Sequence, residues 1–127
     1  MSGSALVLGA MGIVALFLPV VVGGFLGLTR GGEVVVQMVA AGMLAMATLN
    51  WVGRGAIYGG IFGRPIVVAN LMFGTVSSLS LLSALVRGEL QASGWIPAVV
   101  LGTHALAFAY LMRSPPYPSA SPTVPGV

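Results

Sequence analysis

The sequence predicts an all-α integral membrane protein with four transmembrane helices in a compact antiparallel bundle. Hydrophobic residues make up 57% of the 127 residues and charged residues only 6%, against about 25% charged in an ordinary soluble domain. Four apolar stretches without a charged residue cover about 5–28, 34–53, 65–86 and 95–112. About 20 helical residues cross a bilayer, and a helix satisfies its own backbone groups in lipid. We therefore expect residues 1–113 to form a single transmembrane domain.

The first stretch carries glycines that fall on one side of a helix: Gly9, Gly12, Gly23 and Gly27. The last two form a GxxxG pair, and a face without side chains lets another membrane helix approach closely. We expect these four residues to be helix-packing positions. Pro19 is expected to kink the helix because proline lacks a backbone donor and crowds the preceding turn. The apolar run is too long for a signal peptide, so we interpret it as an uncleaved first span.

The remaining stretches contain the polar residues of the predicted spans. The second carries Asn50 near its end, the third carries Asn70 followed by several serines, and the fourth contains the only histidine, His104. An ionisable side chain at such a depth should face the bundle interior or a watery cavity. We therefore predict a candidate ligand site or polar path at Asn70, Ser77 and His104. The alternative is that these groups only bond neighbouring helices.

The segment 54–64 joins the second and third stretches, with Arg54 and Arg64 at its two ends and glycines every four residues between them. It is predicted to be an interfacial or re-entrant element. The two arginines are candidates for holding a lipid phosphate or an anionic ligand; the alternative is a linker whose arginines only set topology. The tail 114–127 is rich in Pro and Ser and is expected to be disordered.

Topology is predicted from the arginines. Arg54, Arg64 and Arg113 have no acidic neighbour in sequence, whereas Arg30 and Arg87, on the other side, each have a nearby glutamate. The positive-inside rule then places both termini in the cytoplasm. The expected location is the plasma (inner) membrane, as a multi-pass protein.

A faint internal repeat suggests an alternative description, in which two helical hairpins are related as parallel repeats. Both 28–33 and 85–89 begin with an aliphatic residue and contain Arg-Gly and a glutamate, and 42–47 matches 102–107 in Gly-x-x-Ala-x-Ala. In general architecture the chain resembles DoxX-like and other small four-helix bacterial membrane proteins. That resemblance implies a bacterial inner-membrane location and assigns a role to no residue.

The composition excludes several kinds of chemistry. The chain has no cysteine and one histidine, so neither Cys-ligated metal nor bis-His haem ligation within the chain is possible, and no metal site is predicted. No acid lies within a span, which argues against a proton-coupled antiporter. A Ser–His dyad of Ser77 or Ser78 with His104 lacks an evident oxyanion hole, so no catalytic residue is predicted. Scattered arginines indicate topology and not nucleic-acid binding.

Three functions are consistent with the sequence. The first is a non-enzymatic membrane subunit or scaffold that acts through helix–helix packing, with the lipid bilayer and either copies of itself or a larger membrane complex as partners. The alternative is a homo-oligomeric small-molecule or ion transporter or binding protein with a polar path near Asn70, Ser77 and His104. The third is a lipid-modifying or quinone-linked enzyme, which would require a cofactor that the sequence does not identify.

Overall fold

The computed structural model describes residues 1–28, 32–56 and 63–113, and the regular elements within these ranges are all helical. The helices are α1 (Ser2–Phe17), α2 (Pro19–Leu26), α3 (Gly32–Val52), α4 (Gly63–Val86) and α5 (Trp95–Arg113). Short 3-10 turns follow α3 and precede α5. The centre of the predicted interfacial segment 54–64 and the predicted disordered tail 114–127 lie outside the described residues.

Three helices have the length and composition of membrane spans. α3, α4 and α5 contain 21, 24 and 19 residues, or about 28–36 Å at ~1.5 Å per residue. Within the described ranges these three are long and apolar enough to cross a membrane, and a fourth span results only if α1 and α2 are taken together. The predicted all-helical class, with helices long and apolar enough to span a membrane, is confirmed for the described ranges; the compact bundle of four transmembrane helices stays a prediction. The predicted stretches 34–53, 65–86 and 95–112 each coincide with one helix.

The first predicted span, 5–28, is not one kinked helix but two helices whose axes differ by 102°. Leu18 leaves the helical region, with φ −124° and ψ 49°, and Pro19 begins α2. Proline suits the first position of a helix because the backbone donor that it lacks would have no partner there. The expected kink is therefore a complete break. The 16 residues of α1 reach about 24 Å, less than the ~30 Å hydrocarbon core.

The predicted GxxxG pair of Gly23 and Gly27 does not form a continuous helix face. Gly23 lies in α2, but Gly27 follows its last residue with φ +78°, a conformation that favours glycine. The Gly27 N–H donates to the Gly24 carbonyl (3.1 Å) and the Leu28 N–H to the Gly23 carbonyl (2.9 Å). These two bonds close α2 in a Schellman motif. Gly27 thus acts as a helix terminator.

The long helices pack as two antiparallel pairs, α1 with α3 and α4 with α5. In the first pair a Cβ on Gly12 would lie 2.8 Å from Leu44 and 3.2 Å from the Ala40 carbonyl, and one on Gly9 would lie 3.7 Å from Ala47. Small residues therefore allow close approach on α1. These two of the four predicted glycines face α3.

In the second pair the close approach occurs at Gly74 of α4. A Cβ there would lie 3.0 Å from the Ala105 nitrogen and 3.0 Å from His104 Cδ2. One turn further along α4, the buried Ser78 hydroxyl donates to the Ala98 carbonyl of α5 (3.1 Å). The two pairs agree with the predicted hairpins; their relation as duplicated repeats stays a prediction.

The pairs meet in a small apolar core near mid-length. Its buried members are Leu8 of α1, Met43 and Ala47 of α3, and Leu101 of α5. Phe73 and Leu81 of α4 pack against them. Contact between α3 and α4 is otherwise sparse. The helices of different pairs consequently depend on interactions near their ends to hold them together.

We predict that Gly74→Ala destabilises the protein although alanine is the better helix former. The added methyl group would meet backbone and side-chain atoms of α5 at 3.0–3.1 Å, and overpacking of this kind costs about 1–3 kcal/mol. The matched control is Gly24→Ala in α2, where nothing lies within 4 Å of the added Cβ and where helix propensity should add up to ~1 kcal/mol. Thermal unfolding in detergent, followed by circular dichroism, measures both. Equal shifts in the two variants would contradict the close packing at Gly74.

Candidate functional site

Four polar side chains from four helices meet in the half of the helix pairs that carries the N-terminus. Ser4 lies in the first turn of α1 and Asn50 near the end of α3, while Asn70 lies two turns into α4 and His104 half-way along α5. We call these four residues the polar cluster. Antiparallel pairing creates it, since the first halves of α1 and α4 then lie beside the second halves of α3 and α5. Both asparagines are 0% exposed, so their amides depend on protein partners.

The two asparagines form a reciprocal pair at the centre of the polar cluster. Asn50 Nδ2 donates to Asn70 Oδ1 (2.7 Å), and Asn70 Nδ2 donates to Asn50 Oδ1 (2.6 Å). The second hydrogen of Asn70 Nδ2 bonds the Ile66 carbonyl one turn earlier in α4 (2.8 Å). These two hydrogen bonds between side-chain amides form a ring that joins α3 to α4, two helices that otherwise have little contact. Bonds of this kind are stronger in a low-dielectric interior than in water.

His104 and Ser4 extend the asparagine pair to the other two helices. His104 Nε2 lies 3.1 Å from Asn70 Oδ1, and its Nδ1 lies 3.1 Å from the Ser4 hydroxyl. An amide oxygen can only accept, so Nε2 carries the proton and the Ser4 hydroxyl donates to Nδ1. Ser4 Oγ in turn accepts from Asn50 Nδ2 (2.9 Å). Phe108, one turn along α5, packs on the imidazole with ring centroids 4.8 Å apart.

The hydrogen-bond pattern of the polar cluster is closed. The four amide hydrogens, the imidazole N–H and the serine O–H each have an acceptor when His104 is the neutral Nε2–H tautomer. Throughout the described ranges, no buried side-chain nitrogen or oxygen lacks a partner. Buried polar groups are costly when unpaired and acceptable when satisfied. The polar cluster therefore works as a cross-link between helices.

Ser4, His104 and Asn70 also have the connectivity of a nucleophile, a base and a residue that orients the base. Two features weigh against that chemistry. An amide cannot stabilise an imidazolium as a carboxylate does, and the Ser4 oxygen already accepts from Asn50. The arrangement matches a structural bond better than an activated hydroxyl.

The structure brings together two of the five predicted ligand or path residues, Asn70 and His104. Ser77 takes no part in the polar cluster; its neighbour Ser78 bonds α5 instead. Arg54 donates to the Trp51 carbonyl (2.9 Å) and its guanidinium lies 4.3 Å from the centre of the Trp51 ring. Arg64 is exposed at the start of α4. Both arginines lie at the same end of the helices as the polar cluster.

Sequence reasoning missed the contributions of Ser4 and Asn50. Asn50 has a visible signal, because an amide inside an apolar stretch needs a partner, but the sequence does not show which residue that partner is. Ser4 lies before the predicted first span and had no such signal. Within the described residues, no three side chains of His, Cys, Asp or Glu lie together in a group that could hold a metal ion.

Comparisons of the chain with protein-family models, with curated proteins and with solved structures find no match. The function must therefore be inferred from the geometry of the chain itself.

We predict that Asn70→Leu destabilises the protein by about 1–3 kcal/mol, because it leaves the buried Asn50 amide and the His104 N–H without partners. The control is Thr103→Val, since Thr103 is exposed and bonds only carbonyls of its own helix; a change within ~0.5 kcal/mol is expected there. Thermal or denaturant unfolding in one detergent gives the comparison. The double variant Asn50→Leu/Asn70→Leu should cost less than the sum of the single variants, because both members of the pair are then apolar. Additive losses would show that the amides are not coupled.

Proposed function

We propose that this chain is an integral membrane protein that acts as a non-enzymatic structural subunit, presenting a rigid set of helices to partners in the bilayer. The observation that carries the proposal is the division of polar and apolar groups. The buried Asn50 and Asn70 are bonded within the polar cluster and the buried Ser78 bonds a carbonyl of α5, while the outer surfaces of the helices are apolar.

Membrane insertion is supported by the outer surface. Large apolar side chains remain exposed on every helix, among them Phe17, Val20, Met38, Leu79 and Leu106. Soluble monomers rarely expose contiguous apolar patches above a few hundred Å². The exposed hydroxyls of Thr48 and Thr103 bond carbonyls of their own helices, which is how such side chains are satisfied in lipid. A hydrocarbon solvent accounts for both features.

An orientation follows from the charges at the two ends. Arg54, Arg64 and Arg113 lie at the end that carries the N-terminus and the polar cluster. At the other end Arg87 pairs with Glu89 (3.0 Å), and Glu33 begins α3. These three arginines have no ion pair with an acidic residue in the described ranges, and they favour the cytoplasm for the first end. Both termini of the helical domain are therefore proposed to be cytoplasmic, in a bacterial inner membrane.

The subunit role is favoured over the transport alternative because the polar residues already use their hydrogen-bonding groups within the protein. A polar path near Asn70, Ser77 and His104 requires groups that can exchange their partners for those of a substrate or ion. Here the donors of Asn70 and His104 are already paired within the protein, and Ser77 lies apart from them. What the chain offers to a partner is apolar surface, either to further copies of itself or to a larger complex.

We predict that the chain resists alkaline carbonate extraction and leaves its native membrane as a complex of defined mass. The measurement is native mass spectrometry of the tagged full chain in lipid nanodiscs. A fixed stoichiometry of copies, or of this chain with other chains, is expected above the 12.8 kDa monomer. Recovery of the monomer alone would contradict the subunit role, and release by carbonate would contradict membrane insertion.

The proposed orientation is testable because the chain has no cysteine. Single-cysteine variants at Ser2 and Glu89 place one thiol at each end; both residues are exposed. Losing the Arg87–Glu89 pair should matter little, since surface ion pairs contribute ~0–1 kcal/mol. In spheroplasts a membrane-impermeant maleimide should label Glu89→Cys at once and Ser2→Cys only after permeabilisation. The reverse pattern would invert the topology, and equal labelling of both would argue against a spanning arrangement.

A further inference from the structure

From about one turn beyond the polar cluster, at Val7 and Val100, toward the opposite end of the helices, the two helix pairs are separated by a cleft of about 870 Å³. Its walls are formed by α1 and α3 on one side and by the end of α4 and the start of α5 on the other. Every residue of the described ranges that lines it is apolar; Val14, Val39, Leu81 and Val100 represent the four walls. Val14 and Val39 remain 50% and 49% exposed, so the cleft is open to the medium beside the helices.

The break at Pro19 supplies one more wall of the cleft. Because α2 turns by 102° from α1, Val22 and Phe25 of α2 reach the lining. α2 is fixed to the turn between α4 and α5: the Gln91 N–H donates to the Leu26 carbonyl (3.0 Å), and the Ser93 hydroxyl donates to the Phe25 carbonyl. The walls from both helix pairs are thus bound to each other, which holds the cleft at its width.

The apolar lining determines which kind of molecule can occupy the cleft. Water requires two to four polar partners, which the cleft does not offer. A void would deprive the surrounding side chains of their van der Waals contacts. An uncharged hydrocarbon chain supplies those contacts and requires no hydrogen bond. The volume lies within the ~300–1,000 Å³ of pockets that hold small ligands.

We propose that the cleft binds one hydrocarbon chain of a membrane lipid, which enters sideways from the bilayer past Val14 and Val39. This inference rests on the proposed membrane insertion. A helix of a second copy matches the lining less well, because a helix is a rigid rod ~10–12 Å wide and α2, bound to the turn between α4 and α5, forms a further wall of the cleft. A lipid chain is narrow and flexible, and the rest of the lipid can remain in the bilayer.

The test reconstitutes the full chain into phosphatidylcholine vesicles that contain a phospholipid with a diazirine near the end of one acyl chain. After irradiation, adducts are mapped by peptide mass spectrometry. Cleft residues of α1, α3 and α5 should carry several-fold more adduct than outward-facing positions such as Leu106, which is 71% exposed. Even labelling of cleft and outer faces would overturn the proposal. Cleft residues that carry less adduct than Leu106, in a chain that native mass spectrometry shows to be a dimer, would assign the cleft to a second copy instead.

A matched pair of variants on α5 sharpens the test. Val100→Trp fills the cleft and should lower cleft labelling several-fold, whereas Leu106→Trp adds the same bulk outside and should leave it unchanged. If Val100→Trp does not fold, Val14→Phe at the opening serves the same purpose. Unchanged cleft labelling in a folded cleft variant would refute the site. A wild-type chain that fails to enter the vesicles would refute the membrane proposal, a result distinct from insertion with even labelling.

Discussion

The fold depends on one constraint: a polar group inside an apolar helix assembly must find its partner in the protein. The Asn50–Asn70 pair meets that constraint across the interface where apolar packing is weakest, between α3 and α4. A reciprocal amide pair has only one good alignment, so it fixes the relative depth of the two helices. The hydrogen bonds of Ser4 and His104 fix the depth of α1 and α5 relative to the asparagine pair in the same way. Slippage of any of the four helices would leave buried donors unpaired, at a cost of about 1–3 kcal/mol each.

The two ends of the molecule are held together in different ways. Side chains join the four helices at the end with the polar cluster. At the other end the connection runs through α2, whose carbonyls accept hydrogen bonds from the turn between α4 and α5. That contact requires the break before Pro19 and the left-handed Gly27, because a straight helix over 5–28 would carry these carbonyls away from the turn. Between the apolar core at mid-length and this contact the helix pairs stay apart, and the cleft results.

Hydropathy alone was enough to predict the helical class and the positions of α3, α4 and α5, because span length and lack of charge are local properties of the chain. The rest depends on long-range structure. Pro19 signals a kink, but its size is set by what α2 packs against, so the 102° break and the role of Gly27 were not foreseen. Asn70 and His104 were identified as unusual residues in apolar stretches. Their partners Asn50 and Ser4 were not, because helix pairing and rotation decide which polar groups meet.

The same polar residues can serve cohesion or chemistry, and the distinction lies in what remains unpaired. A transport path or a catalytic dyad must be able to exchange a hydrogen bond with a substrate and must have space beside it. In the polar cluster each donor is matched to an acceptor of another residue, and the cleft, which extends from Val7 and Val100 toward the other end of the helices, is lined by apolar residues in the described ranges. The bonded polar side chains and the accessible cleft therefore occupy different parts of this molecule. That separation supports cohesion as the role of Asn70 and His104, and it moves the search for a binding function from the histidine to the apolar cleft beside α2.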